Sequence, residues 1–93
     1  ETAGKSARRG DVLHVAGSLF QSAAGLVQVL FAANRRYFVN EKGSLAATDA
    51  FPLRPVRFRH RVERILSEPG NRPSELESRL DQMAALVREV EAL

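Results

Sequence analysis

The stretch DVLHVAGSLFQSAAGLVQVLFAAN, residues 11–34, decides the fold of this chain. No charged side chain lies between Asp11 and Arg35. Polar or small residues recur along this stretch in steps of three, four and seven, at Asp11, His14, Ser18, Gln21, Gly25, Gln28 and Arg35. On a helix this spacing draws one narrow polar stripe along an otherwise apolar cylinder. We therefore predict a long helix at the centre of a soluble helical bundle, with the stripe facing a cleft, a partner or solvent.

The same stretch is long and apolar enough to suggest a membrane span. Gln21, Gln28 and His14 argue against that interpretation, because each is costly in hydrocarbon. Aromatic anchors are also missing at its upstream end, and no secretory cleavage pattern accompanies it. We therefore expect a cytoplasmic protein that does not enter the membrane.

Composition predicts one small domain. The chain has 93 residues and no cysteine, so we expect a single helical domain over 1–93 without disulfides or thiolate chemistry. It begins with Glu1 rather than methionine, which we interpret as the C-terminal fragment of a longer protein. The formal net charge is +3, and the last twenty or so residues are acidic while the rest is basic. That division predicts internal charge pairing or a surface for an anionic partner.

Hydrophobic periodicity predicts four helices, spanning about Ser6–Asp11 to Tyr37, about 41–50, 55–67, and from Ser74 to the C-terminus. The last is the best marked. Ser74 and Glu77 have the spacing of a capping box, and an apolar seam follows at Leu76, Leu80, Met83, Val87 and Val90. We predict an all-α, four-helix bundle-like domain with one long central helix, a short second helix and two further helices.

The tetrad Asn40-Glu41-Lys42-Gly43 is the first candidate site. A carboxylate beside an ammonium group can act as a general base next to a phosphate binder. The alternative is a capped helix junction, in which Asn40 caps, Glu41 favours a first turn and Lys42 is solvated.

An arginine row on the third predicted helix is the second candidate. Arg54, Arg57, Arg61 and Arg64 share one helical face, which suits nucleotide phosphates or an RNA backbone. The alternative is a solvated face partly neutralised by the acids of the last helix. No metal site is predicted, because His14 and His60 lie on different helices without carboxylates at ligand spacing.

The third candidate is Arg9-Gly10-Asp11 with His14, which could meet a substrate at the head of the long helix. The spacing of Arg9 and His14 also matches the arginine–histidine motif of HEPN-type ribonucleases. The structural alternatives are an N-terminal helix charge for Asp11 and a hydrogen-bonded stripe residue for His14.

Together, the segment Arg9-Gly10-Asp11-Val12-Leu13-His14-Val15-Ala16-Gly17, the Asn-Glu-Lys-Gly tetrad, the proline-broken segment and the last helix resemble a known family. It is the C-terminal helical domain of bacterial nucleotidyltransferase-domain proteins, particularly actinobacterial ones, which are distant relatives of the kanamycin nucleotidyltransferase type. The resemblance covers about Ala7 to Val90.

The resemblance implies a complete protein whose upstream α/β domain binds Mg²⁺ and a nucleoside triphosphate through a Gly-Ser and paired-aspartate motif. This chain contains neither motif, so it would bind no cofactor and would not catalyse transfer alone. It would be the substrate-binding or lid domain, with the polar stripe lining the interdomain cleft. Glu41 would act as the acceptor base, and Arg9, Asp11, His14, Asn40 and Lys42 would bind substrate.

The expected partners are the upstream nucleotidyltransferase domain and a small-molecule acceptor, whereas nucleic acid is not expected. Two alternatives remain open. One is a non-enzymatic interaction module that dimerises through the seam of the last helix, and the other is a HEPN-like RNA-binding bundle.

Overall fold

The computed structural model describes residues 2–68 and 70–93. In these residues it contains helices and no strand, so the predicted all-α, bundle-like fold with one long helix is confirmed. Five α-helices are present: α1 (Ala3–Arg8), α2 (Val12–Ala33), α3 (Ser44–Ala47), α4 (Phe58–Ser67) and α5 (Pro73–Glu91). A short 3₁₀ turn, Thr48–Ala50, directly follows α3.

The long helix α2 lies at the centre and packs against α1, α4, α5 and the 3₁₀ turn. Its buried residues follow each other in steps of one, three and four and form one face of the helix: Val15, Leu19, Ala23, Leu26, Val27, Leu30 and Phe31. By length and composition α2 is also able to cross a membrane, a property that core helices share. The cytoplasmic location therefore stays a prediction.

The chain enters α2 through a sharp break that the sequence did not predict. Gly10 has a φ of 72°, and Asp11 then caps α2 by accepting a hydrogen bond from the backbone N–H of His14 at 3.1 Å. Upstream of the break lies the extra helix α1, whose Ser6 and Ala7 are buried. Glycine suits this position because a side chain disfavours positive φ.

The predicted end of α2 near Tyr37 was wrong, because the helix ends at Ala33. Asn34 stops it with a side-chain clamp. Its Nδ2 donates to the carbonyl oxygens of Leu30 and Leu53, each at 2.8 Å, and its Oδ1 accepts from the N–H of Leu53 at 2.9 Å. The clamp joins the end of α2 to the segment after the 3₁₀ turn. It therefore holds together the two ends of the 35–52 loop, a segment that contains α3 and the 3₁₀ turn.

Two further helix starts differ from the prediction. Helix α4 begins at Phe58 rather than near Pro55, because Arg57 takes a φ of 55° before it. Helix α5 begins at Pro73, so its third residue is Glu75 and not the predicted Glu77. The Oε1 atom of Glu75 accepts from the N–H of Arg72 at 3.1 Å, and the first helical position is the one that proline favours.

The seam of α5 faces the interior. Leu76, Met83 and Val90 are buried, while Leu80 and Val87 pack against the core from its edge. At the far end of the core Phe31 stands edge-on to Phe51, with ring centroids 4.9 Å apart. A dimer through the α5 seam would have to break contacts that the chain already makes with itself.

Candidate functional site

The Asn40–Gly43 tetrad is a tight turn between α2 and α3. Asn40 Oδ1 accepts a hydrogen bond from the N–H of Lys42 at 2.9 Å, and the carbonyl oxygen of Glu41 accepts one from Ser44 Oγ at 2.9 Å. Gly43 follows with a φ of 73° and leads into α3. Asn40 therefore shapes the turn instead of capping α3, and the turn holds Glu41 in a defined position.

Glu41 lies on the rim of an apolar pocket of about 130 Å³. Helix α2 supplies Phe20, Ala24 and Val27 to the wall, and Phe38 and Leu45 close it from the loop and from α3. Helix α4 completes the wall with its apolar side. We call this cavity the Glu41 pocket. Its volume holds only a small apolar group, and Glu41 is one of the residues that line it.

The Glu41 carboxylate is available to a ligand. Within residues 2–68 and 70–93 no hydrogen bond or ion pair involves its oxygens, and no partner binds the ammonium group of Lys42. Both residues are exposed. Glu41 lines the pocket and Lys42 follows it in the chain; the carboxylate can accept a proton and the ammonium group can neutralise an anion.

Asp11 and His14, which were predicted to bind substrate, lie at the start of α2. Asp11 uses its carboxylate as the helix cap, and His14 is exposed on a shallow polar groove of about 240 Å³ that also contains Ser18 and Gln21. The predicted polar stripe is thus open on this chain and is not covered by its own neighbours. Its assignment to an interdomain cleft stays a prediction.

Arg9 is exposed at the end of α1, beyond the break from α2. Arg9 and His14 therefore do not occupy successive turns of one helix, which is the arrangement that the HEPN-type spacing presupposes. The structure brings Asn40, Glu41 and Lys42 together, and it brings Asp11 and His14 together. The Glu41 pocket and the His14 groove share no lining residue.

Sequence reasoning missed several large apolar side chains that the fold leaves exposed. Leu13 and Phe20, seven residues apart on one side of α2, are 85% and 58% exposed. Tyr37 and Val39, which flank Phe38 in the loop, are 94% and 84% exposed. The available signal was the position of Leu13 and Phe20 on α2, because both lie outside the buried face and also outside the polar stripe.

Charge pairing is only partly what the sequence predicted. Arg61 on α4 binds Glu89 on α5 through two contacts, of 2.8 and 2.5 Å, so the acids of the last helix do neutralise one member of the arginine row. This hydrogen bonding raises the pKa of Arg61 and lowers that of Glu89. Arg59, outside the row, pairs with Asp49 at 2.9 Å and with Glu63 at 3.2 Å.

In the part of the chain that the structure describes, no group of three His, Cys, Asp or Glu side chains could hold a metal ion. Comparison of the chain with protein-family models, curated proteins and solved structures found no match.

Proposed function

We propose that this chain is the acceptor-binding helical domain of a cytoplasmic nucleotidyltransferase, an enzyme that transfers a nucleoside monophosphate from a triphosphate to an acceptor. One observation carries the proposal: the Glu41 pocket is an open apolar cavity with an unpartnered carboxylate at its rim. The resemblance of the Asn-Glu-Lys-Gly tetrad and of the Arg9–Gly17 segment to such domains supports the same conclusion.

The pocket assigns a role to each group. The apolar walls hold the body of the acceptor, and its hydroxyl group points to the rim. Glu41 takes the hydroxyl proton while the acceptor oxygen forms a bond to the α-phosphorus of the triphosphate, and pyrophosphate leaves. Lys42 lies next to the carboxylate and neutralises phosphate charge. The resemblance implies that the upstream domain supplies the groups that bind Mg²⁺.

The exposed apolar residues suit contact with that upstream domain. Leu13 and Phe20 on α2, and Tyr37 and Val39 in the loop, are four large apolar side chains exposed to solvent, and Phe20 also lines the pocket. Such side chains are stabilised when a partner removes them from water, at about 25 cal/mol per Å² of apolar surface. We propose that the upstream domain covers this surface and closes the pocket, with the polar stripe at the edge of the resulting cleft.

The proposal is tested by the substitution Glu41→Gln in the parent protein that carries the upstream domain. Pyrophosphate release is followed with each of the four ribonucleoside triphosphates and a panel of hydroxyl and amino acceptors. Loss of a general base lowers the rate by about a hundredfold or more. The matched control is Glu77→Gln, which removes an exposed carboxylate from α5 and should leave the rate within about twofold of wild type.

Two results would overturn the assignment. The first is a wild-type protein that transfers no nucleotide to any acceptor in the panel. The second is a Glu41→Gln variant that keeps its rate, or that loses helical circular dichroism together with its rate, since Glu41 would then be a structural residue.

A further inference from the structure

A groove of about 380 Å³ lies between α4 and α5. The residue directly before α4, Arg57, lines it with Arg61 and Arg64 of α4, and α5 adds Arg79 and Gln82. His60 stands at its side, and Ile65 with Ala85 forms an apolar floor. We call this the arginine groove. No Asp or Glu is among the residues described as lining it, although α5 carries five acidic residues.

Two of the arginines are held in place by the protein itself. Arg61 is bound to Glu89. Arg79 Nε donates to the carbonyl oxygen of Glu68 at 2.7 Å, and its Nη1 donates to Gln82 Oε1 at 3.3 Å. Arg79 keeps further N–H groups for a ligand, because a guanidinium group has five. These bonds fix the walls of the groove before anything binds.

The other two arginines are not neutralised. Among the residues that the structure describes, no carboxylate pairs with Arg57 or Arg64. Arg57 lies directly before the first residue of α4, and Arg64 lies within the helix. These two guanidinium groups without a carboxylate partner line one groove together with Arg79 of α5, so that the three can contact several anionic groups at once.

The chemistry of the groove selects among anions. Guanidinium groups match the oxygens of phosphate through paired hydrogen bonds. A cavity of this volume lies within the range of about 300–1,000 Å³ that small-molecule sites occupy. Among the described residues that line it, none is Phe, Tyr or Trp and His60 carries the one aromatic ring, whereas sites for single-stranded nucleic acid stack successive bases on several aromatic rings.

We propose that the arginine groove binds a small anion with several phosphate groups, namely a polyphosphate chain that is either free or part of a nucleotide. This site is separate from the proposed acceptor pocket. Arg61 and Arg64 lie on one side of α4, while Val62 and Leu66, which line the Glu41 pocket, lie on another. Binding here does not depend on the proposed transferase activity.

The test is an NMR titration of the chain with inorganic triphosphate, ATP and a single-stranded RNA oligonucleotide. We expect triphosphate to shift the Nε–Hε signals of Arg57, Arg64 and Arg79. Equal affinities for triphosphate and ATP would identify the phosphate chain as the whole ligand, and tighter ATP binding would identify a nucleotide. RNA binding without triphosphate binding would overturn the proposal, as would shifts spread evenly over all the arginines of the chain.

Two variants distinguish binding in the arginine groove from a general effect of positive charge on the protein. Arg64→Gln should weaken triphosphate binding about tenfold or more, since hydrogen bonds to charged groups contribute strongly. Arg88→Gln makes the same change in charge on α5 outside the groove and should change the affinity less than twofold. Equal losses in the two variants would refute the site. The wild-type shift map remains decisive if Arg64→Gln does not fold, and Glu41→Gln should leave triphosphate binding unchanged whatever its effect on transfer.

Discussion

The Asn34 clamp gives the sharpest prediction for the fold. Asn34→Ala removes a side chain that joins the end of α2 to Leu53, nineteen residues further along the chain. It deletes the paired bonds to the backbone of Leu53, of 2.8 and 2.9 Å, and the bond to Leu30. The substitution removes no buried apolar group, so its effect reports the hydrogen bonds and the closure of the 35–52 loop.

The expected loss of stability depends on the number of hydrogen bonds removed and on their exposure to water. A hydrogen bond contributes about 0.5–1.5 kcal/mol net. The two groups of Leu53 lie at the surface and regain water when the amide is removed, so each loss falls near the lower end. The bond to Leu30 is the second one that this carbonyl oxygen accepts, because it already accepts a hydrogen bond from the backbone N–H of Asn34 at 3.0 Å. We expect a loss of about 1.5 kcal/mol in the free energy of unfolding, which corresponds to a fall of roughly 6–12 °C in Tm for a domain of this size.

Urea unfolding monitored by circular dichroism measures this loss, and Asn71→Ala is the matched control. Asn71 carries the same side chain in a loop, where no hydrogen bond from its amide group is found in the described residues. Hydrogen exchange supplies a second measurement, because an open clamp should speed the exchange of the Ser44 N–H, which donates to the carbonyl of Glu41. If the two variants unfold within about 0.5 kcal/mol of each other, the clamp does not stabilise the fold and the reasoning fails.

Three further predictions concern the rest of the bundle. Gly70→Ala should destabilise by about 2 kcal/mol or more, because Gly70 has a φ of 78° and an added Cβ would lie 2.7 Å from the Cβ of Glu75; urea unfolding measures this, and an unchanged midpoint contradicts it. Ser6→Ala should stabilise by about 1 kcal/mol, because no described group hydrogen-bonds its fully buried hydroxyl; a fall in Tm would show that the hydroxyl has a partner. The Arg61 guanidinium lowers the pKa of Glu89, so the pair stabilises the fold above the ordinary pKa of 4.5 and this contribution is lost as the pH falls through the lowered value. Glu89→Gln should therefore cost about 0.2–1 kcal/mol at neutral pH and nothing in strong acid, and a cost independent of pH would contradict this.

Periodic features of this chain were predictable from sequence, because they depend on residues close together along it. The apolar residues of the α5 seam and of the buried face of α2 recur mainly in steps of three and four. In both helices these residues face the core, as that spacing predicts. The end of α2 was not predictable in the same way. Tyr37-Phe38-Val39 continues the apolar pattern, which favours a longer helix. The helix stops earlier because Asn34 bonds to Leu53, and a contact between residues so far apart cannot be predicted from the local sequence.

Helix starts failed for a different reason, since two local signals competed. Ser74 and Glu77 have the spacing of a capping box. A helix capped by Ser74, however, would begin two residues later and leave out Pro73, whose fixed φ suits the first helical position. The structure puts Pro73 inside the first turn, and Glu75 satisfies the free N–H groups. The break at Gly10 also results from competing local signals. Gly10 and the capping residue Asp11 separate α1 from α2, although the residues on either side favour a helix.

The candidate sites show the same limit. The tetrad was found from sequence because its residues are adjacent. Of the predicted arginine row only Arg61 and Arg64 lie on α4, since Arg54 and Arg57 precede its first residue. Neither the wall that Val62 and Leu66 give the Glu41 pocket nor the contribution of Arg79 to the arginine groove has a signal in the sequence. Both depend on how α4 packs between its neighbours, which only the assembled core determines.

Helix α4 is a wall of both sites, and its packing determines whether they communicate. Phe58, Val62 and Ile65 are each about 1% exposed, so the helix cannot rotate without opening the core. Coupling between two ligands requires an element with two arrangements of similar free energy. A ten-residue helix with three fully buried anchors has one arrangement, because exposing a single such side chain costs about 1.5–3 kcal/mol. The Glu41 pocket and the arginine groove should therefore fill independently, and a triphosphate affinity that changes when the Glu41 pocket is occupied would show that α4 moves.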